Sequence, residues 1–401
     1  MKKQTLFLLL VALTLLPASA KEDKKSADLD SIKFTVIKEN PITSIKNQNR
    51  SGTCWAFSSL SFFEAEALRA HGKTYDLCES YVIYKDYMDR AKAAVRMHGD
   101  VSFSQGGSFY DVLYVLKNYG ICPESAMPAP GTPYGDSLYN NNELDQITTA
   151  YVNAIAKGQQ KKLSPVWQQG LSGIYEAYLG KLPETFTYEG KTYTPQTFSK
   201  SLGLNYDDYI SLTSFSHHPF YQPFVIEVQD NWRWAQSYNL PLNEFMECMD
   251  YAVRQGYTFA WGADVSEPSF RHHEVILAPA ANYKDYSKGD AGSDQARWNG
   301  TSTDKHQQEV DTKNEVQVTQ ELRQQAYDNW ETTDDHGMLI YGLAKDQYGK
   351  EYFMMKNSWG DYNALHGICY VSKAYVAYKT MNIMINKHAL PKAIAKKLGL
   401  N

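Results

Sequence analysis

The chain has 401 residues, 43% hydrophobic and 21% charged, an ordinary globular composition whose length predicts about two to three domains. Its formal net charge is −5 and no basic block tracks along it, which argues against nucleic acid as a partner. Thirty Tyr and eight Trp supply side chains with an apolar body and a polar tip, suited to lining a cleft.

Lys2 and Lys3 precede an apolar run at 6–16, followed by Pro17-Ala18-Ser19-Ala20. This pattern predicts a secretory leader over residues 1–20 and a periplasmic or extracellular protein, with no membrane insertion once the leader is removed. The run is too short to span a bilayer, and nothing later is long and apolar enough to do so. A charged stretch at 21–30 is expected to fray. Residues 34–37 alternate weakly and read as an edge strand. The strongest helix signal covers 54–70: Ala56, Leu60, Phe63, Ala67 and Ala70 recur at helical spacing, and His71-Gly72 ends it. Ser51 or Thr53 is placed to cap its start. Two further helices are expected at 79–95 and 108–118. Residues 131–150 are rich in turn formers, 151–275 hold helical and short extended pieces, and 282–314 form a polar loop. Residues 338–343 and 352–355 flank a turn at 345–349 and predict a β-hairpin.

The five cysteines are Cys54, Cys78, Cys122, Cys248 and Cys369. An odd number leaves at least one thiol unpaired, and a chain of this length can build its core without staples. The last four therefore read as small buried hydrophobes. Cys54 differs because it begins a helix, where unpaired N–H groups and the helix dipole stabilise a thiolate. A nucleophile also needs a base within reach, and the base needs an orienting partner. His336 and Asn357 stand at the open ends of the predicted hairpin, so antiparallel pairing brings them side by side. The Asn oxygen can then accept from the imidazole and fix its tautomer, with Trp359 placed to cover the bond. The pairs His217-His218 and His272-His273 have neither helical nor zinc-type spacing, and no metal or other cofactor is expected.

The segment 45–58, with Gln48, Gly52-Thr53-Cys54-Trp55 and Ser58, resembles the nucleophile segment of papain-like cysteine peptidases. Asp335-His336-Gly337 and Lys356-Asn357-Ser358-Trp359-Gly360 are similar to that family's histidine and asparagine segments, in the family's order. The resemblance implies an α+β fold of two lobes, a helical one led by Cys54 and a β-rich one holding His336 and Asn357. It also implies Gln48 as the side-chain donor of an oxyanion hole, and Ser104-Gln105-Gly106-Gly107 as a wall of the substrate cleft. A narrower resemblance, carried by Glu79-Ser80-Tyr81, residues 182–186, 194–198 and Gly262-Ala263-Asp264-Val265, is to the bleomycin hydrolase and bacterial aminopeptidase C subfamily. The three catalytic segments themselves stand closer to the general papain pattern.

These readings give a leader at 1–20, a helical lobe at 21–130, an inserted helical or irregular region at 131–315 and a β-rich lobe with a tail at 316–401. The implied activity is hydrolysis of peptide bonds through a thioester on Cys54, with peptides as partners and aminopeptidase action first. An open-cleft endopeptidase is the alternative, and a peptide-binding protein without catalysis ranks below both. A homo-oligomer is compatible with the resemblance. Asp334-Asp335 read as turn residues, or as negative charge beside the cleft that favours a free amine. In the tail, Leu390, Ile394 and Leu398 recur four apart, which fits either a helix docked on the surface or an arm reaching the cleft, as the resemblance implies.

Overall fold

The computed structural model describes residues 32–128, 138–270, 274–279 and 315–400. The leader, the stretch 21–30, residues 131–137, His272, His273, the polar loop 282–314 and Asn401 lie outside the described residues. The first helices match the expected spacing. Helix α1 (Cys54–His71) ends on Gly72, whose φ of 66° is one that only glycine adopts without strain. Helix α2 is Glu79–Arg96, and α3 is Phe109–Asn118, entered through a reciprocal capping box of Ser108 and Asp111. Where turns were expected up to residue 150, helix α4 (Asn142–Ala156) already runs. It buries Leu144, Thr148, Val152 and Ala156, a four-residue repeat that its three leading asparagines mask. Helix α5 (Val166–Leu179), a small hairpin of β2 (Phe186–Tyr188) and β3 (Lys191–Tyr193), and α6 (Pro195–Ser201) complete the helical half.

The hairpin at the far end forms: β9 (His336–Lys345) pairs antiparallel with β10 (Glu351–Lys356), from Lys345 opposite Glu351 to Leu339 opposite Lys356, with a register shift between Met354 and Met355. The edge strand β1 (Thr35–Glu39) pairs with β9 as well. Residues 209–276 are not a region apart, because five of the sheet's strands come from them. These are β4 (Tyr209–Thr213), β5 (Pro223–Val225), β6 (Gln236–Asn239), β7 (Phe259–Ala263) and β8 (Val275–Ile276). With β11 (Ile368–Ser372) and β12 (Thr380–Asn386) they give the order β5-β6-β4-β12-β7-β9-β10-β11-β8.

Side chains alternate across this sheet. Met338, Ile340, Trp261, Ile383 and Ile385 enter one core, while Leu339, Ala260 and Met384 enter the core of the helical half. Both faces are buried, which explains why β9 reads as an unbroken apolar run rather than an alternation. Helix α1 lies against β9 and β7 on one face. On the other pack α7 (Leu242–Arg254) and α9 (Lys373–Lys379), with α8 (Gln320–Asp328) beside α9. The tail forms helix α10 (Lys392–Lys397), with Ile394 and Leu398 in this second core and Lys397 Nζ 2.7 Å from Glu244 of α7. It is a docked helix, and residues 387–400 take no part in the cavity described below. No helix among the described residues is long and apolar enough to cross a membrane.

Candidate active site

Cys54 is the first residue of α1 and His336 the first of β9, and both line one cavity of about 920 Å³ between the two halves. Thr53 occupies the N-cap position, but its side chain makes no capping bond. Its hydroxyl pairs instead with Ser51 Oγ at 2.6 Å, so neither of the two expected caps is made. The helix start thus keeps the positive end of its dipole for the thiol. A side chain on Gly337 would press on Ser58 Oγ and the Phe109 ring, so the strand carrying His336 can lie this close to α1 only with glycine there.

The tautomer of His336 follows from donor and acceptor counting. Asn357 Oδ1 accepts from the backbone N–H of Ser358 at 2.8 Å, and a backbone N–H can only donate. That fixes which end of the amide is oxygen. His336 Nε2 lies 2.8 Å from the same oxygen, so Nε2 carries the proton. Trp359 covers the pair, its ring centre 4.9 Å from that of the imidazole. Gln48 is held in the same way. Its Nε2 donates to Ser51 O at 2.8 Å, its Oε1 accepts from Ser358 Oγ at 2.6 Å, and the side chain is fully buried beside the cavity rather than on its wall. Lys356 joins the asparagine strand to the nucleophile segment through Thr43 O and Ser61 Oγ, and burial lowers its pKa to about 8.

The glycine wall is where the sequence placed it. Gln105 Oε1 accepts from Gly52 N at 2.9 Å, Gln105 O accepts from the Trp55 indole at 2.9 Å, and Gly107 lies on the Trp55 ring. Asp335 accepts from Val265 N and from Thr333 Oγ at 2.7 Å, and both Asp334 and Asp335 line the cavity. What sequence reasoning missed is the loop 226–235 between β5 and β6, whose residues 226–231 form part of the cavity wall. No motif or periodicity marks it in the sequence. Cys78, Cys122, Cys248 and Cys369 are buried and in no disulfide, and burial pushes Cys78, Cys248 and Cys369 up.

Among the described residues, one set of side chains could hold a metal ion. The ring nitrogens of His217 and His218 and a Glu227 oxygen lie within 4.8 Å of one another. Adjacent histidines diverge on a strand or helix, but 216–218 form a turn, so both Nε2 atoms converge on Glu227 at 3.1 and 3.0 Å. Burial raises the Glu227 carboxyl, yet the bonds from His218 and His217 outweigh it and hold the group at about 2.

Comparison with known proteins agrees with this architecture. The profile of the Peptidase C1-like family matches residues 10–277, which include Gln48 and Cys54 and stop short of His336 and Asn357. Aminopeptidase G of Lactobacillus delbrueckii subsp. lactis is 21% identical over 399 residues, covering 88% of this chain and 83% of that protein. Aminopeptidase C of Streptococcus thermophilus is 23% identical over 387 residues, covering 86% and 81%. The crystal structure of PepW from Lactobacillus rhamnosis HN001 superposes with a TM-score of 0.66 at 19% identity, over 91% of this chain and 84% of that one. The fold is thus the papain-like α+β fold expected from the sequence, and the chain belongs to the Peptidase C1-like family.

Proposed function

We propose that the protein is a cysteine aminopeptidase in which Cys54 attacks the carbonyl of a peptide's first residue. The observation that carries the chemistry is the bond of Asn357 with His336, which shares the cavity wall with Cys54. With Nε2 protonated and bound to Asn357, Nδ1 is the nitrogen that exchanges a proton with the thiol. His336 takes the thiol proton, later gives it to the leaving amine, and then draws one from the water that hydrolyses the thioester. The backbone N–H of Cys54 and the Gln48 amide are the donors for the oxyanion.

The relatives named as aminopeptidases support action at a free N-terminus. The docked tail favours the endopeptidase reading, because the cleft is not closed by that arm. The loop 226–231 favours the aminopeptidase, since it occupies the wall next to Gly106 where a longer peptide would run. The test is kcat/KM on one peptide with a free and with an acetylated N-terminus, for the native protein and for Cys54→Ala. We expect turnover of the free peptide only, lost in Cys54→Ala with the melting temperature kept. Equal cutting of both peptides would establish the endopeptidase instead. The lysines and apolar run of residues 2–16 further support export, and a mature N-terminus at Lys21 is the expected sequencing result.

A further inference from the structure

The loop 226–235 leaves the sheet at β5, reaches the helical half and returns to β6. Asn231 braces it, donating to Ile226 O and Ala235 O at 3.1 and 2.9 Å and accepting from Ala235 N at 2.8 Å. Two ionic anchors hold it against α2 and α3. Arg233 donates to Asp111 at 2.7 Å, Asp86 at 2.9 Å and Asp89 at 3.1 Å, its guanidinium stacked 4.0 Å from the Tyr114 ring centre. The buried guanidinium of Arg90 donates to Ser102 O, to Gly106 O and to Asp230 Oδ1, the last at 3.1 Å. Ser104 Oγ is 3.4 Å from the same oxygen.

Asp230 is thereby fixed on the cavity wall, 27% exposed, with its Oδ2 over Gly106. Any side chain at Gly106 would collide with that carboxylate, so the glycine makes room for it. The Gly52–Gln105 bond ties this wall to the residues just before Cys54. A carboxylate held in place by a buried cation needs no reorganisation to receive a second cation. We propose that Asp230 receives the α-ammonium group of the substrate and that the loop around it ends the cleft, which makes an internal loop the device that measures the free N-terminus. The proposal rests on the aminopeptidase reading.

The experiment compares native protein and Asp230→Asn on three peptides of one sequence: free, N-acetylated, and with the α-amine replaced by hydroxyl. A charged hydrogen bond sets the scale. The expected loss is about 10- to 100-fold in kcat/KM on the free peptide, chiefly through KM. The native protein should lose a similar factor on the hydroxyl peptide, and the variant should then lose nothing more, because both changes remove one contact. Native protein that prefers the free peptide, with a variant that keeps the same preference, overturns the role of Asp230 and leaves the aminopeptidase standing. Native protein that cuts all three alike overturns both. Loss confined to peptides beginning with Lys or Arg also overturns it, since Asp230 would then read a side chain. Should the variant melt early, the native comparison of amine with hydroxyl still decides: an unchanged rate without the amine excludes any receptor for it.

Discussion

Gln48 and Asn357 show how much of a reactive site is fixed before any substrate arrives. Each amide has its oxygen and nitrogen identified by a partner that can act in one sense only: Ser51 O accepts, and Ser358 N donates. Both are tied to Ser358, Gln48 through Oε1 and Asn357 through Oδ1, so one residue registers the proposed oxyanion donor against the side chain that holds His336. Gln48 Nε2 has two protons and Ser51 O takes one, so the second sets its value in catalysis. Gln48→Ala should therefore lower kcat by about 10²–10³ and leave KM nearly unchanged, as removal of an oxyanion donor does. Steady-state kinetics check this, and a change confined to KM would place Gln48 in substrate binding instead. That these residues come together was legible from three short motifs and their order. Their hydrogen-bond directions were not, because they depend on Ser51, read only as a candidate helix cap, and on Ser358, read only as part of a motif.

Among the elements, legibility followed periodicity. Helices α1, α2 and α3 and the β9–β10 hairpin carry patterns that survive in one dimension, and they appear within a residue or two of their expected bounds. The strands β4 to β8 are short, two to five residues each, and they are defined by partners far away in the chain, as where β4 pairs with β12. That is why 131–315 read as an insertion when it completes the sheet. The tail offered two readings with one pattern, since an amphipathic stripe says that a helix docks and not where. Its docking on α7 has a consequence. Ile394→Ala should cost about 2–4 kcal/mol by opening a void in the sheet-side core. It should leave the preference for free over acetylated peptides unchanged, because the tail is absent from the cavity wall. Urea melts and the paired assay measure the two. Selectivity lost together with stability would show that the tail governs the cleft after all.

At the scale of the molecule, one sheet belongs to both halves, and the cleft opens where α1 meets the end of β9. The loop 226–235 is a second connection, and its strength lies in Arg233 among three carboxylates. Burial pushes Asp86 and Asp111 up, and Arg233 is what opposes this. A carboxyl with a folded pKa above its unfolded one stabilises the fold below the unfolded value, near pH 4, and loses that contribution as pH rises through the folded value. Removing Arg233 raises both carboxyls further, so the deficit of Arg233→Ala must widen from acid to neutral pH. We expect about 3–5 kcal/mol near neutrality, the usual cost of stranding a buried charge, and clearly less at about pH 5. Urea melts at the two pH values measure it. With the anchor gone, the loop keeps the bonds of Asp230 and Asn231 and those of Glu227 with His217, His218 and Tyr327, and the acetylated peptide should begin to be cut. An equal deficit at both pH values would mean that neither carboxyl titrates between them in the native protein. Unchanged selectivity in a folded Arg233→Ala protein would mean the loop keeps its place without this anchor, and that its remaining contacts hold the end of the cleft.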